Sequence, residues 1–200
     1  MYAKAAERAL QDYARNQVTS EELWDIDRLV KRISNWDAIK KEVIIRPVGK
    51  KKGEKYMQDK PYTSMGDICA VYGVEIRILK GMKFVAITKD MLKEYGFSTK
   101  RLHASAGRNT SKKYPMITKS IESALTGIAV PVINPEENVN KRPTLSVISN
   151  TCWEYGEACL FYPEFQEELL KVLPDGGAVI PACRHELLES PAEDEKHYSS

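Results

Sequence analysis

The 200-residue chain is 42% hydrophobic and 29% charged, a composition typical of a globular protein with one main domain. Its four cysteines include no Cys-x-x-Cys pair. Its N-terminus lacks the apolar core of a signal peptide, and no apolar run approaches the roughly 20 residues of a membrane helix. We therefore expect a cytoplasmic protein without membrane contact. The net charge of +2 hides an asymmetry: residues 40–60 carry eight basic and three acidic side chains, residues 99–119 six basic and no acidic ones, and residues 151–200 three basic and eleven acidic ones.

The first forty residues predict amphipathic helices. Thr19 is followed three residues later by Glu22, the pattern of a capping box at the start of a helix. Apolar side chains then recur at helical spacing, at Leu23, Ile26, Val30 and Ile33. We therefore expect residues 1–40 to form an N-terminal helical segment.

An edge strand, a polar segment and a β-hairpin are predicted next. Pro47 in EVIIRPV lacks a backbone donor, which favours a strand at the edge of a sheet. The polar, glycine-bracketed GKKKGEKYMQDKP predicts a loop or a frayed helix. Alternating apolar residues predict a long strand over Asp67–Leu79, and Lys80 and Gly81 predict a turn into the return strand MKFVAI.

Two helices follow this hairpin. Thr88 can cap the start of the helix KDMLKEY, and Gly96 can end it. Ser98 can cap the next helix, which would turn Leu102 and Ala106 toward the core.

The C-terminal third predicts a second β-hairpin–helix unit. TLSVIS reads as a strand, NTCWEYG as a turn, EACLFY as the return strand and PEFQEELLKVL as a helix opened by Pro163. Residues 126–143 contain three prolines and predict a linker, and residues 192–200 predict a disordered tail. The predicted fold is α+β, with N-terminal helices packed on two β-hairpin–helix units within residues 41–191.

The order of several motifs resembles an uncharacterised bacterial family, domain of unknown function 5688. The motifs are IIRPVG, MGDICAVYGV, ITKDMLKEYGFSTKRL, RNTSKKYPMITKSIESAL, YGEACLFYPEFQEELL and AVIPACRHELLESP, collinear over about residues 43–191. The positions that match the family pattern are Asp67, Asn109, Thr110, Pro115, His185 and Glu186.

This resemblance implies a context and no chemistry. Family members occur in gut anaerobes, often near mobile elements, and no activity is established for them. The resemblance implies that members usually begin with a further α/β segment, and we expect this chain, without that segment, to be either a short member or a remnant. The last strand of the family usually carries serines where Ala182 and Cys183 stand here, which argues against a shared cysteine nucleophile.

The candidate catalytic residues are Cys183, His185 and Glu186. A thiol nucleophile needs a base within hydrogen-bond reach and a group that orients the base, and alternate residues of a strand share a face. In the alternative interpretation, Cys183 is a small buried hydrophobe and His185 and Glu186 begin the last element. No glycine-built oxyanion hole is evident nearby.

Metal and cofactor sites are not predicted. His103, His185, Asp67 and a cysteine could in principle supply metal ligands, but none of them shows ligand spacing. We therefore expect no metal and no cofactor.

The two basic segments, residues 40–60 and 99–119, are candidates for nucleic-acid binding, because lysine and arginine neutralise phosphates and tyrosine can stack on bases. In the alternative interpretation, they are a solvated surface balanced by the acidic C-terminal third. The side chains singled out are Lys50, Lys51, Lys52, Lys55, Arg101, Arg108, Lys112 and Lys113.

The preferred hypothesis is a non-catalytic binding protein, an accessory factor of a mobile element or phage that acts on a host protein or a protein–nucleic acid assembly. A homodimer is a further expectation, since the missing family segment would leave an apolar surface open. Direct nucleic-acid binding through the basic segments is the first alternative. A hydrolase using the cysteine and histidine is the second.

Overall fold

The computed structural model describes residues 29–78, 81–121, 124, 145–173 and 176–191. The chain forms two compact units, Met1–Thr110 and Ser111–Ser200, each with helical turns and an antiparallel sheet. The predicted α+β class is therefore confirmed. Most of the predicted N-terminal helical segment, the linker at 126–143 and the tail at 192–200 lie outside the described residues, so these predicted boundaries stay predictions.

The described part of the first unit contains four strands and four helices after a helical stretch at residues 29–33. In chain order these are α1 (Trp36–Ile39), β1 (Ile44–Gly49), α2 (Lys50–Met57), β2 (Tyr62–Met65), β3 (Ile68–Ile78), β4 (Gly81–Ala86), α3 (Lys89–Tyr95) and α4 (Thr99–Lys113), whose last residues pass into the second unit.

Strand β3 is the centre of the first sheet. It pairs antiparallel with β1 on one side, and β2 and β4 share its other side, because Gly73 pairs with both Ile44 of β1 and Ala86 of β4. Among the described residues β1 pairs only with β3, so Pro47 lies on an edge strand as predicted.

Different helices cover the two faces of this sheet. Successive side chains of a strand point to opposite faces. Cys69 and Val71 form a buried cluster with Met57 of α2. The Tyr72 hydroxyl, on the opposite face, lies 3.0 Å from Nδ1 of His103 in α4. Helices α2 and α4 therefore pack on opposite faces of the sheet.

The predicted pairing of β3 with the return strand and the predicted helix caps are confirmed, whereas Lys80 of the predicted turn lies outside the described residues and Gly81 is part of β4. The Thr88 hydroxyl accepts the Met91 N–H at 3.2 Å at the start of α3, and Gly96 ends that helix in the left-handed conformation with φ of 72°. The Ser98 hydroxyl accepts the Arg101 N–H at 3.4 Å at the start of α4, and Leu102 is buried.

The polar segment after β1 forms the helix α2 rather than a loop. Tertiary packing accounts for it: Gly53 approaches β1 so closely that a Cβ atom there would lie 2.1 Å from Cγ1 of Val48, and Met57 is buried. Packing of one side of the helix on the sheet stabilises it, although the rest of its sequence is polar.

Four strands among the described residues of the second unit form an antiparallel sheet in the order β5-β6-β8-β7. Its elements are β5 (Met116–Ser120), β6 (Ser146–Asn150), the 3-10 helix η1 (Gly156–Phe161), α5 (Phe165–Val172), β7 (Gly177–Cys183) and β8 (Glu186–Pro191).

The second predicted hairpin is wrong. EACLFY, predicted as the return strand, lies in η1, and β8 takes the place beside β6. Residues 158–162 are all buried, and an apolar run that is buried on every side shows no period from which strand and helix can be distinguished. Gly156 lets this segment cross close to the sheet, since a Cβ there would lie 1.9 Å from the His185 carbonyl oxygen.

Candidate functional site

Helix α2 presents a cluster of lysines to solvent. Because an α-helix has about 3.6 residues per turn, Lys51, Lys52 and Lys55 group on the side opposite the packed Gly53 and Met57. We call these three side chains the lysine face. All three are exposed, and none forms an ion pair with another described residue.

The lysines at the start of α2 are unfavourable for this helix. Lys50, Lys51 and Lys52 occupy the first turn of α2, which contains no acidic residue. The N-terminal end of a helix is electrically positive, so cations there reduce helix stability by a few tenths of a kcal/mol each, up to about 1. Lys51 and Lys55 add a like-charge pair at i, i+4 spacing. The first turn of α2 therefore carries a charge arrangement that opposes its own stability.

The second predicted basic segment lies elsewhere in the first unit. Arg101 and Arg108 are exposed on α4, and the Arg101 guanidinium lies 5.0 Å from the centre of the Phe97 ring. Since α2 and α4 cover opposite sheet faces, these arginines do not form one surface with the lysine face. Lys112 and Lys113 end α4 within the second unit, and Lys113 lies 5.0 Å from the Tyr114 ring centre.

Two of the positions that match the family pattern have structural contacts in the first unit. The Asn109 side-chain amide donates to the Lys40 and Val43 carbonyls, each at 2.9 Å. The buried Thr110 hydroxyl accepts the Ile45 N–H at 2.8 Å and donates to a carbonyl of its own helix at 2.6 Å. These hydrogen bonds attach α4 to the edge strand β1 and to the residues just before it.

The weak catalytic candidates lie at the tip of an exposed hairpin. Cys183 pairs with Glu186 across a two-residue turn, so Cys183 and His185 are not alternate residues of one strand. The Cys183 thiol lies 3.7 Å from a Glu186 carboxylate oxygen, whereas Nδ1 of His185 accepts the Tyr155 N–H at 3.4 Å. The imidazole is thus directed to Tyr155, not to the thiol.

The residues considered as metal ligands make other contacts in the structure. His103 contacts the Tyr72 hydroxyl, and burial lowers the pKa of its imidazole. Asp67 lies in the turn between β2 and β3, where its carbonyl accepts the Lys50 N–H. Among the described residues, no three His, Cys, Asp or Glu side chains lie close enough to hold a metal ion.

The loop after β6 in the second unit was predicted from the sequence only as a turn. The loop after β6 is organised by buried Asn150, which accepts the Cys152 N–H at 3.1 Å and donates to the Glu154 carbonyl at 2.7 Å. Trp153 and Tyr155 both have φ of 55°, which is unusual for residues other than glycine. Lys119 lies 4.9 Å from the Trp153 ring centre.

The fold and these surfaces define an α+β protein with two antiparallel sheets and an exposed basic helix. The chain matches the family of unknown function DUF5688 over residues 2–200 and belongs to this family. The match includes the first forty residues, which lay outside the resembling motifs. No curated protein and no solved structure matches the chain. Every helix within the described ranges is too short or too polar to span a lipid bilayer.

Proposed function

We propose that this protein is a non-catalytic binding protein that attaches, through the lysine face of α2, to the polyanionic surface of a protein–nucleic acid assembly. The observation that carries the proposal is the lysine face itself: three exposed cations without an ionic partner among the described residues, on a helix whose first turn contains no acidic residue. The resemblance to the family supports an accessory role for a mobile element or phage in the cytoplasm of a bacterial host.

Direct binding of naked nucleic acid is the second candidate function. Tyr56, which is 43% exposed, lies next to Lys55 on α2 and could stack on an unpaired base. A hydrolase has less support, because the Cys183 thiol contacts Glu186 and the imidazole of His185 does not face it. A homodimer stays a prediction.

The test compares two triple charge reversals in the full-length chain. One reverses the lysine face (Lys51→Glu, Lys52→Glu, Lys55→Glu), and the matched control reverses three cations of α4 (Lys100→Glu, Arg101→Glu, Arg108→Glu). Lys51→Glu and Lys52→Glu place acidic residues in the first helical turn, where they are stabilising, but Lys55→Glu places one in the last turn. Circular dichroism and urea unfolding of the variant therefore check that loss of binding does not follow from loss of the helix.

Two assays separate the candidate functions. Affinity capture from host lysate, with and without nuclease, should recover an assembly with the wild type and the α4 variant but not with the lysine-face variant. Titration with a random-sequence DNA duplex over a range of salt tests direct binding, where three phosphate contacts give a slope of log affinity against log salt of about −2.7. Unchanged capture and unchanged DNA binding by the lysine-face variant would overturn both candidates.

A further inference from the structure

A pocket in the first unit combines basic and aromatic walls. Its volume is about 580 Å³, within the range of small-molecule sites. Three lysines line it, together with aromatic side chains from β2 and from the segment before α4 and with the first residue of α4: Lys60, Lys89, Lys93, Tyr62, Phe97 and Thr99. No acidic side chain lines the pocket itself, although the adjacent Asp59 carboxylate offsets the charge of Lys60, so Lys89 and Lys93 carry the net positive charge of the lining.

Two of these lysines are held in place by contacts with the backbone around the end of α2. The Lys60 ammonium donates to the Tyr56 carbonyl at 2.8 Å and to a carboxylate oxygen of Asp59 at 2.7 Å. The Lys89 ammonium donates to the Gln58 carbonyl at 2.9 Å, which leaves two of its three donors for another acceptor. Both cations are therefore fixed before any ligand arrives, which reduces the entropy cost of binding.

The third lysine has no such contact. Lys93 is exposed on α3, one turn after Lys89, and has no hydrogen-bond or ionic partner among the described residues. Two cations at this spacing, one fixed and one able to move, can enclose a phosphate group from two sides.

The lining also contains aromatic side chains. Tyr62 is 43% exposed on β2, and Phe97 is half-buried and stacks on the Tyr95 ring with 5.7 Å between centroids. A flat ring of a ligand could pack against this wall, since aromatic groups favour stacked or edge-to-face contacts. The 15-residue helix α4 starts beside it without an acidic residue in its first turn, and this adds to the positive potential.

We propose that this pocket binds a soluble organic phosphate of nucleotide size, with its phosphate at Lys89 and Lys93 and its aromatic ring against Tyr62. The positive lining selects an anion, the lysine spacing suits a phosphate, and the volume and aromatic wall suit a ring-bearing ester rather than an inorganic ion. The site is separate from the lysine face of α2 and does not depend on its proposed role.

The experiment is calorimetric titration of the full chain with adenosine diphosphate, pyrophosphate and adenosine in a phosphate-free buffer at low salt. Adenosine diphosphate should bind more tightly than pyrophosphate, and adenosine should bind the most weakly. Lys93→Gln, which removes no described contact, should weaken adenosine diphosphate binding about 10-fold. Lys100→Gln, an exposed lysine outside the pocket, is the matched control and should bind like the wild type.

The outcomes of this titration are distinguishable from those of the lysine-face test. The lysine-face variant should retain wild-type affinity for adenosine diphosphate, so failure of either proposal leaves the other standing. Absence of adenosine diphosphate binding would overturn the pocket proposal. Equal binding by wild type and Lys93→Gln would do the same, as would equal affinities for adenosine and adenosine diphosphate.

Discussion

The buried carboxyl group of Glu189 predicts an unusual dependence of stability on pH. Glu189 lies on β8 in the second unit and is 1% exposed. Neither of its carboxylate oxygens has a hydrogen-bond partner among the described residues. Burial raises the pKa of this carboxyl from its usual value of 4.5 to about 7, and the neighbouring Ser146 hydroxyl offsets part of the rise.

The sign and size of the effect follow from this pKa. Below pH 4.5 the carboxyl is protonated in both the folded and the unfolded chain. Between that pH and about 7 the folded chain retains a proton that the unfolded chain has lost, so the free energy of unfolding decreases as pH rises. At about 1.4 kcal/mol for each tenfold change, the total loss is about 3 kcal/mol.

Replacement by the neutral isostere, Glu189→Gln, removes this titration. The variant buries an amide at a cost that does not change with pH. The difference in unfolding free energy between Glu189→Gln and the wild type should therefore shift by about 3 kcal/mol in favour of the variant between pH 4 and pH 8. Urea unfolding followed by far-ultraviolet circular dichroism at several pH values measures this difference.

Glu186→Gln is the matched control on the same strand. The Glu186 side chain lies near the exposed end of β8, so Glu186→Gln makes the same substitution at a position that is not fully buried. A constant difference between Glu189→Gln and the wild type over the whole pH range would refute the reasoning, since it would mean that the folded protein satisfies the ionised carboxylate.

Three further predictions concern packing and exposure. Gly53→Ala gains about 1 kcal/mol in helix propensity but places a Cβ 2.1 Å from Val48, so urea unfolding should show net destabilisation of about 1–2 kcal/mol, and a more stable variant would contradict the packing of α2 on β1. Thr110→Val keeps the shape but leaves the Ile45 N–H without its acceptor; the expected loss in the same assay is about 1–3 kcal/mol, and Thr99→Val, at the half-buried start of α4, is the control. A thiol reagent should modify two cysteines in the native protein and the other two only after unfolding. In the folded chain, burial raises the pKa of the Cys159 thiol to about 12, and unfolding removes this effect. Fast modification of all four cysteines in the native protein would contradict the prediction. The exposed pair is Cys152 and Cys183, and the buried pair is Cys69 and Cys159.

The first hairpin and its helix could be predicted because their signals are local. Alternation over β3, the Thr88 cap and the left-handed Gly96 each depend on a few neighbouring residues. Helix α2 was left undecided between a loop and a frayed helix, because only its contacts with β1 and β3 stabilise so polar a segment. The buried run at η1 was mistaken for a strand, since burial on all sides removes the pattern that distinguishes the two.

The candidate surfaces were predictable only as residue types. The excess of lysine and arginine is visible in the sequence, but its division between two faces of the first sheet depends on which helix packs on which side of β3. The lysine-lined pocket joins residues 60–62 to residues 89–99, which no local pattern connects. Glu189 likewise looks like any other acidic residue until β8 is placed inside the second sheet.

The sequence by itself determined the α+β class, the family resemblance and the strand, cap and turn positions whose physics is contained within a few residues. Only the tertiary structure decided the neighbours of each charge: the solvent around the lysine face, the backbone carbonyls that hold Lys60 and Lys89, and the apolar surroundings of the Glu189 carboxyl. The physical reason is that the energy of a charge depends on its distance to other charges and on its contact with water, and both are set by segments distant in the chain.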